Sequence, residues 1–552
     1  MNPPESLLQA CYRDPDPAAA LVVADWFEEH GQLLQSQLMR AAVTAELLGE
    51  GHPDAADHWE QAERCRRQLL LQGEWQLPDS AVGSVAHHSV DVLHRGLPML
   101  AIARNQPDFL KQIPQWLTQT PARSLLLAEI GRRDFAKISS ASWAPDLIGL
   151  TFRPMPRSSD SLEIGWNRPE NKLALQRLEL RLAGWYPEVA DELSTAASLT
   201  QLQSLTLAGP LGNFREFEAI PQSPMGRSLR ELTLQGNPNM DLQDASMSAV
   251  RFERWLHRGG LSQLRSLRLL DLPFAHDILT PLRDTETLPQ LERLMLLAGR
   301  GPLDWAPIGE LLRRGQLRML EMPMSRLAVP GILAEMLSRA GDTPGLRLLN
   351  LHRCRLPEGE IETLANWPGL ASVTQLSIGG NELAESDLAA LARSPYAQSI
   401  QTLDLSGILL GGEELRGLAG GWESGNLREL MVDVLLGDQR LASREALFDF
   451  LESPSARAVR RLSLRHVILG DDGVSWLGRH SELRNLQELT LTQCAFTPAG
   501  IRTLFEAPRL SKLWRIQLRS VTGKWPPTPT YLPRDWITGA SNEFLHTVRM
   551  RG

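Results

Sequence analysis

The chain has 552 residues, with 57 lysines and arginines against 65 aspartates and glutamates, a formal net charge of −8. That acidic balance favours solubility and argues against general nucleic-acid binding. Hydrophobic residues make up 43% and charged residues 22%, the composition of a soluble globular protein, and the absence of a long apolar run leaves no expected membrane span.

Four cysteines in so long a chain make no disulfide framework. The first residues, MNPPESLLQACYRDPDP, carry neither a basic segment nor the apolar stretch of a signal peptide. A reducing, cytoplasmic setting is therefore expected.

Residues 1–78 read as a small all-helical domain. A short helix runs through Leu7, Leu8 and Cys11, and Asp14-Pro15-Asp16-Pro17 makes a turn whose Asp16 can cap the next helix. That helix carries Ala20, Leu21, Val23, Ala24 and Phe27 and stops at Gly31. Two more helices are expected, over 35–48 and 55–71. The run of Leu7, Leu8, Asp14, Pro15, Ala24, Asp25, Trp26, Phe27, Glu28, Glu29, His30 and Gly31 resembles the N-terminal repeat-companion domain of planctomycete and myxobacterial proteins. The resemblance covers about forty residues. Phe27 replaces the usual Leu, and Gln37-Leu38 stands for the usual Glu-Phe. The resemblance implies a bacterial protein and a companion array of repeats, and carries no chemistry with it. Asp25, Glu28, Glu29 and His30 are read as a solvated helix end rather than a site.

Residues 79–172 are the least regular, punctuated by Gly83, Gly96, Pro98, Pro107, Pro114, Pro121 and Pro145. Weak repeats begin there at Leu97, Ala122 and Leu147, as expected of the N-terminal end of an array. His87, His88 and His94 lack a completing ligand set, so they are read as loop or strand-edge residues.

From residue 173 to 523 one pattern recurs. Its thirteen starts are Leu175, Leu202, Leu229, Leu264, Leu291, Leu317, Leu346, Val373, Ile400, Leu427, Val459, Leu486 and Leu513, and the commonest interval is 27 residues. Around Leu346 it reads Leu346-Arg-Leu-Leu349-Asn-Leu351-His-Arg-Cys354-Arg-Leu356, which fits L-x-x-L-x-L-x-x-[N/C]-x-L. The leucines fix a short strand with one buried side, and a helix follows through Ile361, Leu364 and Ala365. The pattern resembles the ribonuclease-inhibitor class of leucine-rich repeats. The expected fold is an α/β solenoid, a horseshoe with a parallel inner sheet and outer helices, because no single unit can bury its own apolar face. Asn237, Cys354, Asn381 and Cys494 stand at the position where the family forms hydrogen bonds between neighbouring turns, and are expected to be buried, the cysteines as free thiols.

Two repeats are longer, with extra residues Asn237-Pro238-Asn239-Met240, Met247 and Leu435 to Arg440. Residues 524–552 lose the pattern. Their Trp525, Tyr531, Trp536 and Phe544 are expected to cap the last open core.

No motif for phosphate binding, nucleophilic attack or zinc catalysis is present, nor a C-x-x-C. No enzyme activity, cofactor or metal is therefore expected. The informative surface is the face onto which the x residues of L-x-x-L-x-L are expected to point. Over the thirteen repeats they include the arginines 177, 230, 265, 268, 293, 318, 347, 428, 460, 461 and 515. The acids are Glu179, Glu231, Glu292, Glu321, Asp404, Glu429 and Glu488. Arg177/Glu179 and Arg428/Glu429 are candidate ion pairs that would simply solvate the sheet. The expected partner-binding residues are Arg268, Met295, Glu321, His352, Asp404, Met431, Arg460, Arg461, Arg465, Trp514, Arg515 and Arg519. Their chemistry suits a protein partner with an acidic surface, not nucleic acid or membrane. The expected function is a non-catalytic interaction scaffold. The competing expectation is a regulator or effector of a GTPase or ubiquitin-conjugation pathway.

Overall fold

A computed structural model describes residues 20–48, 123–154, 165–181, 187–209, 219–236, 249–272, 279–298, 303–434, 440–519, 537–541 and 545–549, with short gaps inside several of these stretches, and scattered positions before residue 123. The chain divides into two compact units, residues 1–304 and 305–552.

In the first unit, α1 (Leu21–Glu29) and α2 (Leu33–Leu48) meet at Gly31, whose φ of +75° permits the tight reversal. The expected capping Asp16 lies outside the described residues. Ala20 occupies the N-cap of α1 and supplies no side-chain hydrogen bond. Helix α2 buries two sides. Met39 and Val43, one turn apart, join Leu8, Cys11, Ala20, Val23, Ala24 and Phe27. Leu38, Ala41 and Ala42 join Ala62, Cys65 and Leu69. Ile148, from the strand region, completes the first of these clusters.

The strands of this unit are β1 (Leu93–His94), β2 (Leu97–Ala103), β3 (Ser124–Ile130), β4 (Gly149–Pro154), β5 (Arg177–Arg181), β6 (Ser204–Ala208), β7 (Glu231–Gln235), β8 (Ser266–Leu272) and β9 (Arg293–Ala298). β1 pairs antiparallel with β2, and from β2 to β9 each strand pairs parallel with the next. The three weaker starts thus carry strands β2, β3 and β4. The leucines fall in rows: Leu178, Leu205, Leu232, Leu267 and Leu294 are in register, as are Leu180, Leu207, Leu234, Leu269 and Leu296. None is more than 2% exposed, and each contributes about 2 kcal/mol by leaving water. Helices α3 (Arg132–Ser140), α4 (Pro187–Thr195) and α5 (Ala249–His257) return the chain between strands.

The second unit repeats the scheme with β10 (Met319–Glu321), β11 (Leu348–Asn350), β12 (Gln375–Ser377), β13 (Thr402–Leu410), β14 (Glu429–Val434), β15 (Arg461–Arg465), β16 (Glu488–Thr492) and β17 (Arg515–Arg519), all parallel to the next in turn. The segments starting at 346, 373 and 400 are therefore neighbouring parallel strands. The returning helices are α6 (Ala306–Arg313), α7 (Ile332–Ala340), α8 (Glu360–Ala365), α9 (Glu385–Arg393), α10 (Gly412–Ala419), α11 (Arg440–Glu452), α12 (Gly470–Arg479) and α13 (Pro498–Phe505). Helix α6 packs against α7 so closely that a Cβ on Gly309 would stand 2.2 Å from the Met336 carbonyl oxygen. After β17 the sheet continues with an antiparallel hairpin, β18 (Ile537–Ser541) and β19 (Leu545–Arg549), in which β19 pairs with β17. The four aromatic residues expected to cap the array lie outside the described residues, and the described part of this tail adds strands.

The expected hydrogen-bonding position is realised at three of its four sites. Asn381 is 4% exposed. Its Nδ2 donates to the carbonyls of Leu351 (2.9 Å) and Ile378 (2.7 Å), and its Oδ1 accepts from the Leu356 amide (3.3 Å). Cys354 Sγ lies 2.9 Å from the Met322 carbonyl and Cys494 Sγ 3.6 Å from that of Leu464. Both thiols are buried and free. Asn237 lies outside the described residues.

Candidate partner-binding face

The strands begin at the second x of L-x-x-L-x-L. Alternation along the strand then sends the second and third x away from the leucine core. In the second unit this makes two rows in register. One reads Met319, Leu348, Gln375, Thr402, Glu429, Arg461, Glu488, Arg515, and the other Glu321, Asn350, Ser377, Asp404, Met431, Ser463, Thr490, Gln517. The first x stands one residue before the strand, where its amide and carbonyl still join the ladder. Arg347, for example, donates to the Arg318 carbonyl (2.8 Å) and accepts from Thr374 (2.8 Å). Arg230, Arg265, Arg318, Arg347, Arg428 and Arg460 all occupy this first position. They line the leading edge of the sheet and not its face, which corrects the expectation that all x positions share one face.

The expected residues fall into separate groups. Glu321, Asp404 and Met431 share the third-x row. Arg461 stands in the second-x row between Glu429 and Glu488, and its Nη2 bonds Glu429 Oε2 at 2.9 Å. Arg465 ends β15, exposed. Arg515 and Arg519 belong to β17, described for its backbone, and Trp514 lies outside the described residues. Arg268 and Met295 belong to the first unit, in register on β8 and β9, where Arg268 Nε and Nη2 are each 3.4 Å from Met295 Sδ.

Two expected ion pairs are replaced by others. Glu429 pairs with Arg461 across the strands, and its chain neighbour Arg428 stands one residue before β14. Glu179 pairs with Arg181 and accepts from Thr151 Oγ1 (3.2 Å), rather than pairing with Arg177. The second-x row therefore alternates Glu429, Arg461, Glu488, Arg515, and its charges balance.

Asp404 gathers the most polar contacts on the face. Ser377 Oγ donates to its Oδ2 (2.8 Å), the Ser406 amide donates to its Oδ1 (2.9 Å), and His352 Nδ1 lies 3.8 Å from Oδ2. The His352 amide donates to Asn350 Oδ1 (3.0 Å). The imidazole does not stand between serine and carboxylate, so this trio lacks the proton path of a hydrolytic triad. It is a polar, half-buried patch suited to recognition.

At the N-terminal helices, Arg40 Nη2 joins Asp25 (2.5 Å) and Glu28 (2.8 Å), and that contact with Glu28 holds the guanidinium above its ordinary pKa. His30 stacks on Trp26 at 3.9 Å and bonds its carbonyl. These residues make a surface network at a helix end. His87 and His88 lie outside the described residues, and only the backbone of His94 is described.

Sequence reasoning missed a second ladder. The residue just before a repeat's first apolar position reaches back one repeat: Ser228 Oγ to the Leu202 carbonyl (2.7 Å), Ser372 Oγ to Leu346 (2.8 Å), Ser399 Oγ to Val373 (2.9 Å). Asn426 and Asn485 do the same to Gln398 and Arg457. The recurring Ser or Asn at that place was the available signal. The extra residues 237–240, Met247 and 435–439 lie outside the described residues.

The rows of leucines and the ladders define a leucine-rich-repeat-like solenoid of parallel strands and returning helices. No family model matches the chain, and no curated protein matches it. Among solved structures it is similar to a TLR13–ssRNA13 complex, with 16% identity and a TM-score of 0.39 over 72% of this chain and 58% of that one. A Bacteroides fragilis protein shares 13% identity, with a TM-score of 0.26, over 56% of this chain and 72% of that one. The chain thus spans little more than half the length of the TLR13 chain. Likeness of this degree assigns no partner and no residue role here. No helix among the described residues is long and apolar enough to cross a membrane.

Proposed function

We propose that the chain is a non-catalytic, cytoplasmic bacterial scaffold that grips a protein partner on the outward face of its second-unit sheet. In this reading the array curves as a horseshoe with that face concave, and residues 1–78 are a repeat-companion domain. The observation that supports the reading is the in-register face of β13 to β16. Its core-facing residues Leu403, Leu430, Leu462 and Leu489 are at most 2% exposed, while Asp404, Met431, Ser463 and Thr490 between them are only partly buried. A methionine set among hydrogen-bonding groups is the make-up of an interface centre. The leading-edge arginines Arg428 and Arg460, with Arg465 at the trailing edge, give an acidic partner its steering charge.

The test is site-specific photo-crosslinking in living cells of the native host. A crosslinking residue at Ser463 should give a discrete protein adduct, and one at Arg479, exposed on α12, should not. Adducts from Arg479 alone, or from neither, would overturn the reading.

A further inference from the structure

In five of the described repeats the second residue after the closing apolar residue of L-x-L has left-handed backbone and turns the chain out of the strand. Gly380 and Gly407 hold φ of +66° and +73° there. Asp271, of a residue type that tolerates this region, holds +52°. Two consecutive repeats differ. Met324 takes the position at +59° and Arg353 at +54°, and Arg355 follows at +53°. Long side chains in this region carry a strain that glycine avoids, and such strain gathers where a surface is used.

A second observation falls on the same residues. Met324 is 48% exposed, one of three large apolar side chains so exposed among the described residues. Its amide donates to the His352 carbonyl (2.8 Å), and the Arg353 amide to that of Gly379 (2.7 Å), so the two turns lie side by side. The glycines of the next repeat form a floor. A Cβ on Gly380 would stand 2.3 Å from Arg353 Cγ, and one on Gly379 2.7 Å from His352 Nδ1. Arg353 and Arg355 are exposed, and neither side chain makes an ion pair among the described residues.

We propose that this trailing corner is a docking site for an acidic segment of a protein partner, Met324 receiving an apolar side chain while Arg353 and Arg355 receive carboxylates. The proposal deepens the scaffold reading and rests on it. A nucleic acid fits less well, because the chain is acidic overall and the centre of the corner is a thioether.

The test selects a phage-displayed random peptide library on the full chain. Enriched peptides should carry aspartates or glutamates around one leucine, methionine or phenylalanine. Synthetic copies should bind the double variant Met324→Gly, Arg353→Gly at least about tenfold more weakly, and Arg479→Glu, exposed on α12, with little change. Both glycine substitutions supply what Gly380 and Gly407 already provide, so the melting temperature should hold or rise. Arg353→Asn, which tolerates the same backbone, serves if glycine lowers it. Peptides without acids, no enrichment, or equal binding to the double variant would overturn the corner. The Ser463 crosslink separates that failure from failure of the scaffold reading.

Discussion

Asn381 shows how one side chain can serve three backbone groups. Asn381→Leu strands two carbonyls and one amide in the core, and should cost roughly 1–3 kcal/mol in urea denaturation. Cys354 is the contrasting case. Burial pushes its thiol up to about 12 from an ordinary 9.0. The folded state therefore holds its proton more tightly than the unfolded chain does, and this group's stabilisation, complete below pH 9, is lost as pH rises towards 12. The thiol should resist iodoacetamide at pH 8 until the protein is unfolded, and mass spectrometry of the labelled peptide reads this directly. Both positions were legible in the sequence, since a small polar group three residues after an apolar strand residue has one place to go. The Arg461–Glu429 pair was not read. Its partners are neighbours across strands, and chain adjacency pointed to Arg428, which stands one residue before the strand.

At the scale of elements, the start of α7 is stabilised from the next repeat. Gly331 and Gly359 are the N-caps of α7 and α8, with φ of +83° and +84° and no capping side chain of their own. Glu360, 4% exposed, accepts the Gly331 amide at 2.5 Å from one repeat further on. Glu360→Ala should remove this cap and cost about 1 kcal/mol, and Glu360→Gln should retain most of it, as chemical denaturation would show. The strands were legible because leucine spacing encodes a buried row directly. The lateral cap was not, because a capping search looks within one helix, and here the carboxylate arrives from its neighbour.

At the scale of the molecule, one of the two clusters of the N-terminal helices is shared with the strand region. Ile148, 1% exposed just before β4, packs among their residues. Ile148→Ala should cost roughly 2–4 kcal/mol and speed hydrogen exchange in α1 and α2, which a self-contained helical domain would not show. The central claim is that the outward face of the second unit's sheet carries the partner. Hydrogen exchange of the full chain, with and without the protein trapped by the Ser463 crosslinker, tests it most directly. The account predicts protection in peptides covering β14, β15 and β16 and none in α11 and α12. Protection confined to the N-terminal helices, or to α11 and α12, would contradict it.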